Sequence, residues 1–195
     1  MAINLYAFKG GVGTSTMSVA IATLLESTLH APNHKHDDVH TIMGRVENKD
    51  HVYDLSRDGV HVERNDVYDR GRNECYTWKP AYNDTNVLVC ENSFQALRAS
   101  INGCGDVLAP DWVIVLHSDT RALGKDDVTD VLSTVARDAK FSFVRHTPEV
   151  ARAVDAGLFS SRMPRTVTED LSRFIREHEH GLTEARKITN TKESA

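Results

Sequence analysis

The chain predicts an α/β protein, a mostly parallel sheet flanked by helices in three layers. Three observations carry this. Apolar runs of strand length alternate with amphipathic stretches of helix length. The run WVIVL at 112–116 has no polar alternation, as in a strand covered on both faces. A glycine-rich turn, KGGVG at 9–13, joins the first apolar run to the first helical pattern.

Taken in order, strands are expected near 2–8 (AINLYAF), 60–69 (VHVERNDVYD), 86–90 (NVLVC), 112–117 (WVIVLH) and 140–144 (KFSFV). Helices are expected near 14–29, 93–101, 124–137, 148–158 and 166–179. In the first, Met17, Ala20, Ile21, Leu24, Leu25 and Thr28 recur at helical spacing. In the third, Val128, Val131, Leu132 and Val135 do the same, with Asp126 and Asp127 in the first turn, where the helix dipole favours negative charge. Pro148 and Pro164 fall where helices start. The stretch 31–66 is polar, histidine-rich and weakly periodic, so a second strand is either deleted there or replaced by a loop. Residues 1–180 read as a single domain, and 181–195 as a polar tail.

Composition narrows the function classes. The 195 residues hold 23 Lys+Arg and 28 Asp+Glu, a net charge of −5, unlike a general nucleic-acid coat. No apolar run approaches the ~20 residues of a membrane span, and the first residues lack the pattern of a secretory signal. Cys75, Cys90 and Cys104 form no C-x-x-C pair, so neither a zinc knuckle nor a disulfide framework is indicated. Cys90, inside an apolar strand, reads as a small core residue. The expected setting is reducing and cytoplasmic.

The chemical signal is the segment Lys9-Gly10-Gly11-Val12-Gly13-Thr14-Ser15-Thr16 between strand and helix. Phosphates need several backbone N–H groups aimed at their oxygens, and glycine permits the tight turn and close approach. The helix N-terminus adds partial positive charge, and a hydroxyl at Ser15 is in register to complete a Mg²⁺ shell. The standard pattern G-x-x-x-x-G-K-[ST] fails at two positions: Phe8 stands for the first glycine and Thr14 for the lysine. Losing that charge-assisted hydrogen bond costs about 1.5–3 kcal/mol, so the expected hydrolysis is weak at most.

With Lys9 kept ahead of the glycines, the loop resembles the deviant phosphate loop of the ParA/MinD family of ATPases, K-G-G-x-G-K-[ST]. The segments TNVLVCENSFQALRAS at 85–100, RALGKDDVTDVLS at 121–133 and PEVARAVDAGLFSSRMPRTV at 148–167 are similar to short actinobacterial and actinophage ParA-like partition proteins. The resemblance implies a P-loop NTPase sheet, ATP and Mg²⁺ as cofactors, and a nucleotide-dependent homodimer in which Lys9 reaches the partner's nucleotide. It further implies replicon partitioning with a ParB-like adaptor and non-specific DNA contact at the nucleoid.

Two carboxylates are sought for the metal and the attacking water. The resemblance, which places the first carboxylate after the second strand, implies Asp38 or Asp37 here, and either reads alternatively as the cap of a short helix. Asp69, followed by Arg70-Gly71, resembles the family's strand-ending D-x-G, with Asp66 as its competitor and an ordinary turn aspartate as the plain alternative. His30, His34, His36 and His40 have i, i+4 spacings suited to a metal, or to a solvated loop. Residues 162–192 hold seven basic and five acidic residues, a mixed surface on which DNA contact rests on the resemblance alone. There Leu171, Phe174 and Ile175 are expected to pack on the sheet, not in lipid. A P-loop scaffold kept for protein–protein interaction is the second functional reading. A metabolic P-loop enzyme is the third, with no substrate motif to support it.

Overall fold

Apolar side chains at alternate positions of a strand point to opposite faces, so a run apolar throughout buries both. That rule builds the centre of the protein. A computed structural model describes residues 2–32, 38–45, 50–56, 66–72, 83–104, 109–121 and 123–192. The elements are β1 (Ala2–Ala7), α1 (Thr14–Leu24), β2 (Thr28–His30), α2 (Asp38–Met43), β3 (Val52–Asp54), β4 (Asp66–Arg72), β5 (Thr85–Glu91), α3 (Phe94–Cys104), β6 (Trp112–His117), α4 (Lys125–Leu132), β7 (Lys140–Arg145), α5 (Pro148–Asp155) and α6 (Arg165–Lys192).

Among the described residues the strands form one seven-stranded sheet in the order β3-β2-β4-β1-β5-β6-β7. Every pairing among these strands is parallel except β2–β3 at one edge. On one face Ile3, Leu5, Val87, Val89, Trp112 and Ile114 pack with Met17 and Ile21 of α1, Val150 of α5 and Leu171 and Phe174 of α6. On the other face Tyr6, Leu88, Cys90, Val113 and Val115 meet Leu97 and Cys104 of α3 and Val128 and Leu132 of α4. The expected three layers are therefore present, and Cys90 is a core residue. Leu171 and Phe174 are fully buried and Ile175 packs beside them, with the Phe174 ring edge-on to Trp112 at 5.0 Å.

Connection handedness fixes where the two layers divide. β1 leads through α1 to β2 on one side of the sheet, and β5 leads through α3 to β6 on the other. Right-handed crossovers in opposite directions put α1 and α3 on opposite faces. The reversal lies between β1 and β5, and the crevice of an open α/β sheet opens beyond the carboxyl ends of such strands.

Several boundaries differ from expectation. The first helix ends at Leu24, not 29, because Glu26 takes a positive φ of 50° and the chain turns straight into β2. The second strand is thus neither deleted nor replaced by a loop: it lies earlier, at Thr28–His30, and the polar stretch after it contributes α2 and β3. Its three residues are too few to show a period. The strand expected over 60–69 is described only from Asp66 and continues to Arg72, so Asp69 is a mid-strand residue. The α4 helix stops at Leu132, short of 137. The last helix starts at Arg165 after Pro164 and runs to Lys192, through the segment read as a tail. Thr147 caps α5, its hydroxyl oxygen accepting the Val150 amide at 3.3 Å, with Pro148 at the first helical position as the sequence indicated. The α2–α5 contact depends on glycine: a Cβ on Gly44, at φ 62°, would lie 2.3 Å from the Gly157 carbonyl.

Candidate functional site

The loop Phe8–Gly13 leaves the carboxyl end of β1 and runs directly into α1. Gly11 and Gly13 have φ of 74° and 86°, the left-handed conformation that lets the chain curl tightly before the helix. The first helical bond here runs from the Met17 amide to the Gly13 carbonyl, so earlier amides have no partner within the helix. Gly13, at the N-cap, supplies no side-chain cap. A Cβ on Gly11 would meet nothing within 4 Å, so the loop faces open space. A Cβ on Gly13 would come within 2.6 Å of Leu116 Cδ2, which shows how closely the end of β6 supports the loop.

A cleft of about 590 Å³ opens in front of this turn. Gly11, Val12, Gly13 and Thr16 form one wall; Glu91 of β5 and Leu116, Ser118, Thr120 and Arg121 at the end of β6 form the next. His146 and the α5 residues Val150, Ala151, Val154 and Asp155 close it. The cleft thus combines backbone donors, a polar rim and an apolar end, the usual make-up of a small-molecule site. Thr14, where a phosphate-binding lysine is customary, is 8% exposed and opens α1 inside the protein. Ser15 is half-buried in the same turn.

Lys9 does not point alone into solvent. Its Nζ donates to Glu91 Oε1 at 3.0 Å, and the Ser93 hydroxyl donates to the same oxygen at 2.8 Å. Arg121 Nη2 donates to Glu91 Oε2 at 2.9 Å. One carboxylate therefore bridges two cations at the cleft. Partial burial alone would raise the Glu91 carboxyl, but the hydrogen bonds from Lys9 and Ser93 and the charges of Lys9 and Arg121 hold it below its ordinary value. The side chains are 31% (Lys9), 17% (Glu91) and 42% (Arg121) exposed, so each pair contributes only about 0–1 kcal/mol. An anionic ligand can compete with interactions of that size.

The loop bearing Arg121 is pinned by Asn92, which is 1% exposed. The Asn92 side-chain amide donates to the carbonyls of Ser118 at 2.9 Å and Leu123 at 3.0 Å, while its Oδ1 accepts the Ser118 amide at 3.0 Å. Beside it His117 is buried edge-on to Phe143, with Nδ1 3.2 Å from Asp119 Oδ1.

Asp38, Asp66 and Asp69 are not among the residues that line the cleft. Asp69 is fully enclosed in β4, opposite Leu5 of β1, and its Oδ1 accepts the Gly71 amide at 2.9 Å. Asp38 is exposed at the first residue of α2. Asp66 lies 3.1 Å from His30 Nε2. Asp37, His34, His36 and Cys75 lie outside the described residues, so each i, i+4 histidine pair has one member beyond description. Among the described residues no cluster of three His, Cys, Asp or Glu side chains is placed to hold a metal ion. Among the same residues no helix is long and apolar enough to cross a membrane.

Glu91, Arg121, Asn92 and His146 were not singled out from the sequence. Their one sequence signal is position, at or just beyond the carboxyl end of a buried strand, where open α/β sheets hold ligands. No protein-family model and no curated protein matches the chain.

Proposed function

We propose that the chain binds ATP with Mg²⁺ in this cleft and acts as a ParA-like, nucleotide-dependent dimerisation switch in partitioning of a plasmid or phage replicon. The observation that carries the reading is the Gly10–Thr16 turn. Its uncapped amides open α1 at the carboxyl end of β1, beside a cleft with room for a nucleotide and with Lys9 at its edge. Gly10, Gly11, Val12 and Gly13 would present backbone donors to the phosphates, and Thr14, Ser15 and Thr16 the amides of the first helical turn. Bound Mg²⁺ would offset charge on the phosphate oxygens. Ser15 and Asp69 are the oxygen donors this reading assigns to it, Asp69 being enclosed in β4 with its Oδ1 on the Gly71 amide. Asp38 would serve the attacking water only if the α2 start approaches the cleft in the dimer. Homodimerisation, a ParB-like adaptor and DNA contact rest on the sequence resemblance.

Calorimetry with Mg-ATP tests binding, and absence of heat or thermal shift at millimolar nucleotide would defeat it. Sedimentation of wild type and Lys9→Ala with and without Mg-ATP tests the switch. Dimers that form with ATP and are lost in the variant are expected, and constant monomers would contradict it. A second reading, a P-loop scaffold with little or no hydrolysis, is favoured by the buried Thr14 and by the neutralisation of Lys9 within its own chain. Turnover at background despite ATP binding, even with DNA and a partner, would select it.

A further inference from the structure

Two cations meet the cleft residue Glu91, and only one of them belongs to the glycine turn. We propose that Arg121 is a phosphate-binding residue of this site, supplying the cation that position 14 lacks, and that Glu91 is an internal counter-ion displaced by the ligand. The inference rests on the reading of the cleft as a nucleotide site, and goes beyond it in assigning a residue and a competition.

Four observations support it. Arg121 lines the same cleft as Gly11, Gly13 and Thr16. Among the described residues its side chain has one partner, Glu91, so the planar guanidinium keeps most of its five donors for a ligand. Asn92 fixes the loop on both sides of Arg121 through three hydrogen bonds, so little freedom is lost when a ligand is gripped. Finally, Glu91 already occupies both cations as an anion would, with one oxygen on Lys9 and the other on Arg121. With Thr14 buried and uncharged, a side-chain cation in place of the customary lysine comes from across the cleft, at Arg121 beyond β6.

Competition makes the effects opposite in sign. Removing the Arg121 charge weakens binding. Removing the Glu91 charge strengthens it, because Lys9 and Arg121 then face the ligand without a counter-ion. Calorimetry of the full chain with two probes, Mg-ATP and inorganic tripolyphosphate with Mg²⁺, separates the possibilities. Arg121→Ala is expected to weaken both probes about tenfold, the equivalent of one lost charge-assisted contact, with Arg121→Lys in between. Glu91→Gln is expected to tighten both severalfold. The double variant decides the mechanism: Arg121→Ala must still weaken binding in the Glu91→Gln background. If the loss vanishes there, Arg121 only positions Glu91 and the assignment is overturned. Unchanged affinity in Arg121→Ala, with its melting temperature also unchanged, would overturn it too. Weaker binding in Glu91→Gln would overturn the counter-ion role. A wild type that binds neither probe would remove the nucleotide site itself and this inference with it, whereas binding with no dependence on Arg121 would remove this inference alone.

Discussion

The two sides of the sheet are built differently. From β1 through β5, β6 and β7 the strands are six or seven residues long, and the central residues of β1, β5 and β6 are buried on both faces. From β4 through β2 to β3 the strands shorten to three residues at the edge, and the contacts turn polar and aromatic. There His30 stacks on Tyr68 at 4.4 Å, Arg70 covers the same ring at 4.4 Å, and Arg70 Nε donates to Asn4 Oδ1 at 3.0 Å. The first side is held by buried apolar area, which is non-directional and large. The second adds to its buried Leu29, Val67 and Tyr53 particular pairs of side chains, each contributing little. The cleft opens toward the first side, so a rigid scaffold carries it.

Substitutions that sample both sides can break this contrast. The largest loss is expected for Phe174→Ala, which empties a fully buried site against Trp112: about 3–5 kcal/mol by chemical denaturation. A loss below 1 kcal/mol would show that the α6 face is looser than its burial implies. Gly13→Ala comes next, at about 1–2 kcal/mol, because alanine is strained at φ 86° and its methyl would press on Leu116. Its loss of Mg-ATP binding should exceed that of any surface variant. On the other side, His30→Ala removes one cross-strand stack and the part-exposed contact with Asp66, and should cost about 1 kcal/mol. A cost equal to that of Phe174→Ala would erase the distinction.

The smallest effect is a slope with pH. Burial holds His178 below its ordinary value, although its bond to the Phe174 carbonyl acts the other way. The unfolded chain therefore takes up a proton more readily, and stability rises with pH across that interval. The stabilisation is fully present above the unfolded value of about 6.5 and is lost as pH falls through the lower folded value. Melting temperatures from pH 8 to pH 5 should fall for wild type and fall less for His178→Gln. Equal slopes would exclude His178 as the source.

The same contrast explains what could be read from the residues. WVIVLH and NVLVC declared themselves because a doubly covered strand needs an unbroken apolar run. Pro148 after Thr147 marked its helix through a steric preference local to two residues. By contrast Thr28–His30 carries no period, and it was absorbed into the helical pattern of α1 until Glu26 turned the chain. At the cleft, Lys9 and the glycines were legible because a tight turn needs glycine whatever surrounds it. Arg121 was not, since nothing in a loop arginine announces which carboxylate it will meet.

The chain's own pattern thus determined the alternation of elements, the two-faced core and the glycine turn ahead of α1, because each follows from sterics or burial within a few residues. Only the tertiary structure decided that Glu91 meets Lys9, 82 residues away, and Arg121, 30 residues away. It likewise decided that Thr14 is buried while the end of β6 faces the turn. Those contacts are made where parallel strands end side by side, and sheet order is set by which faces can be buried together, not by any spacing along the chain.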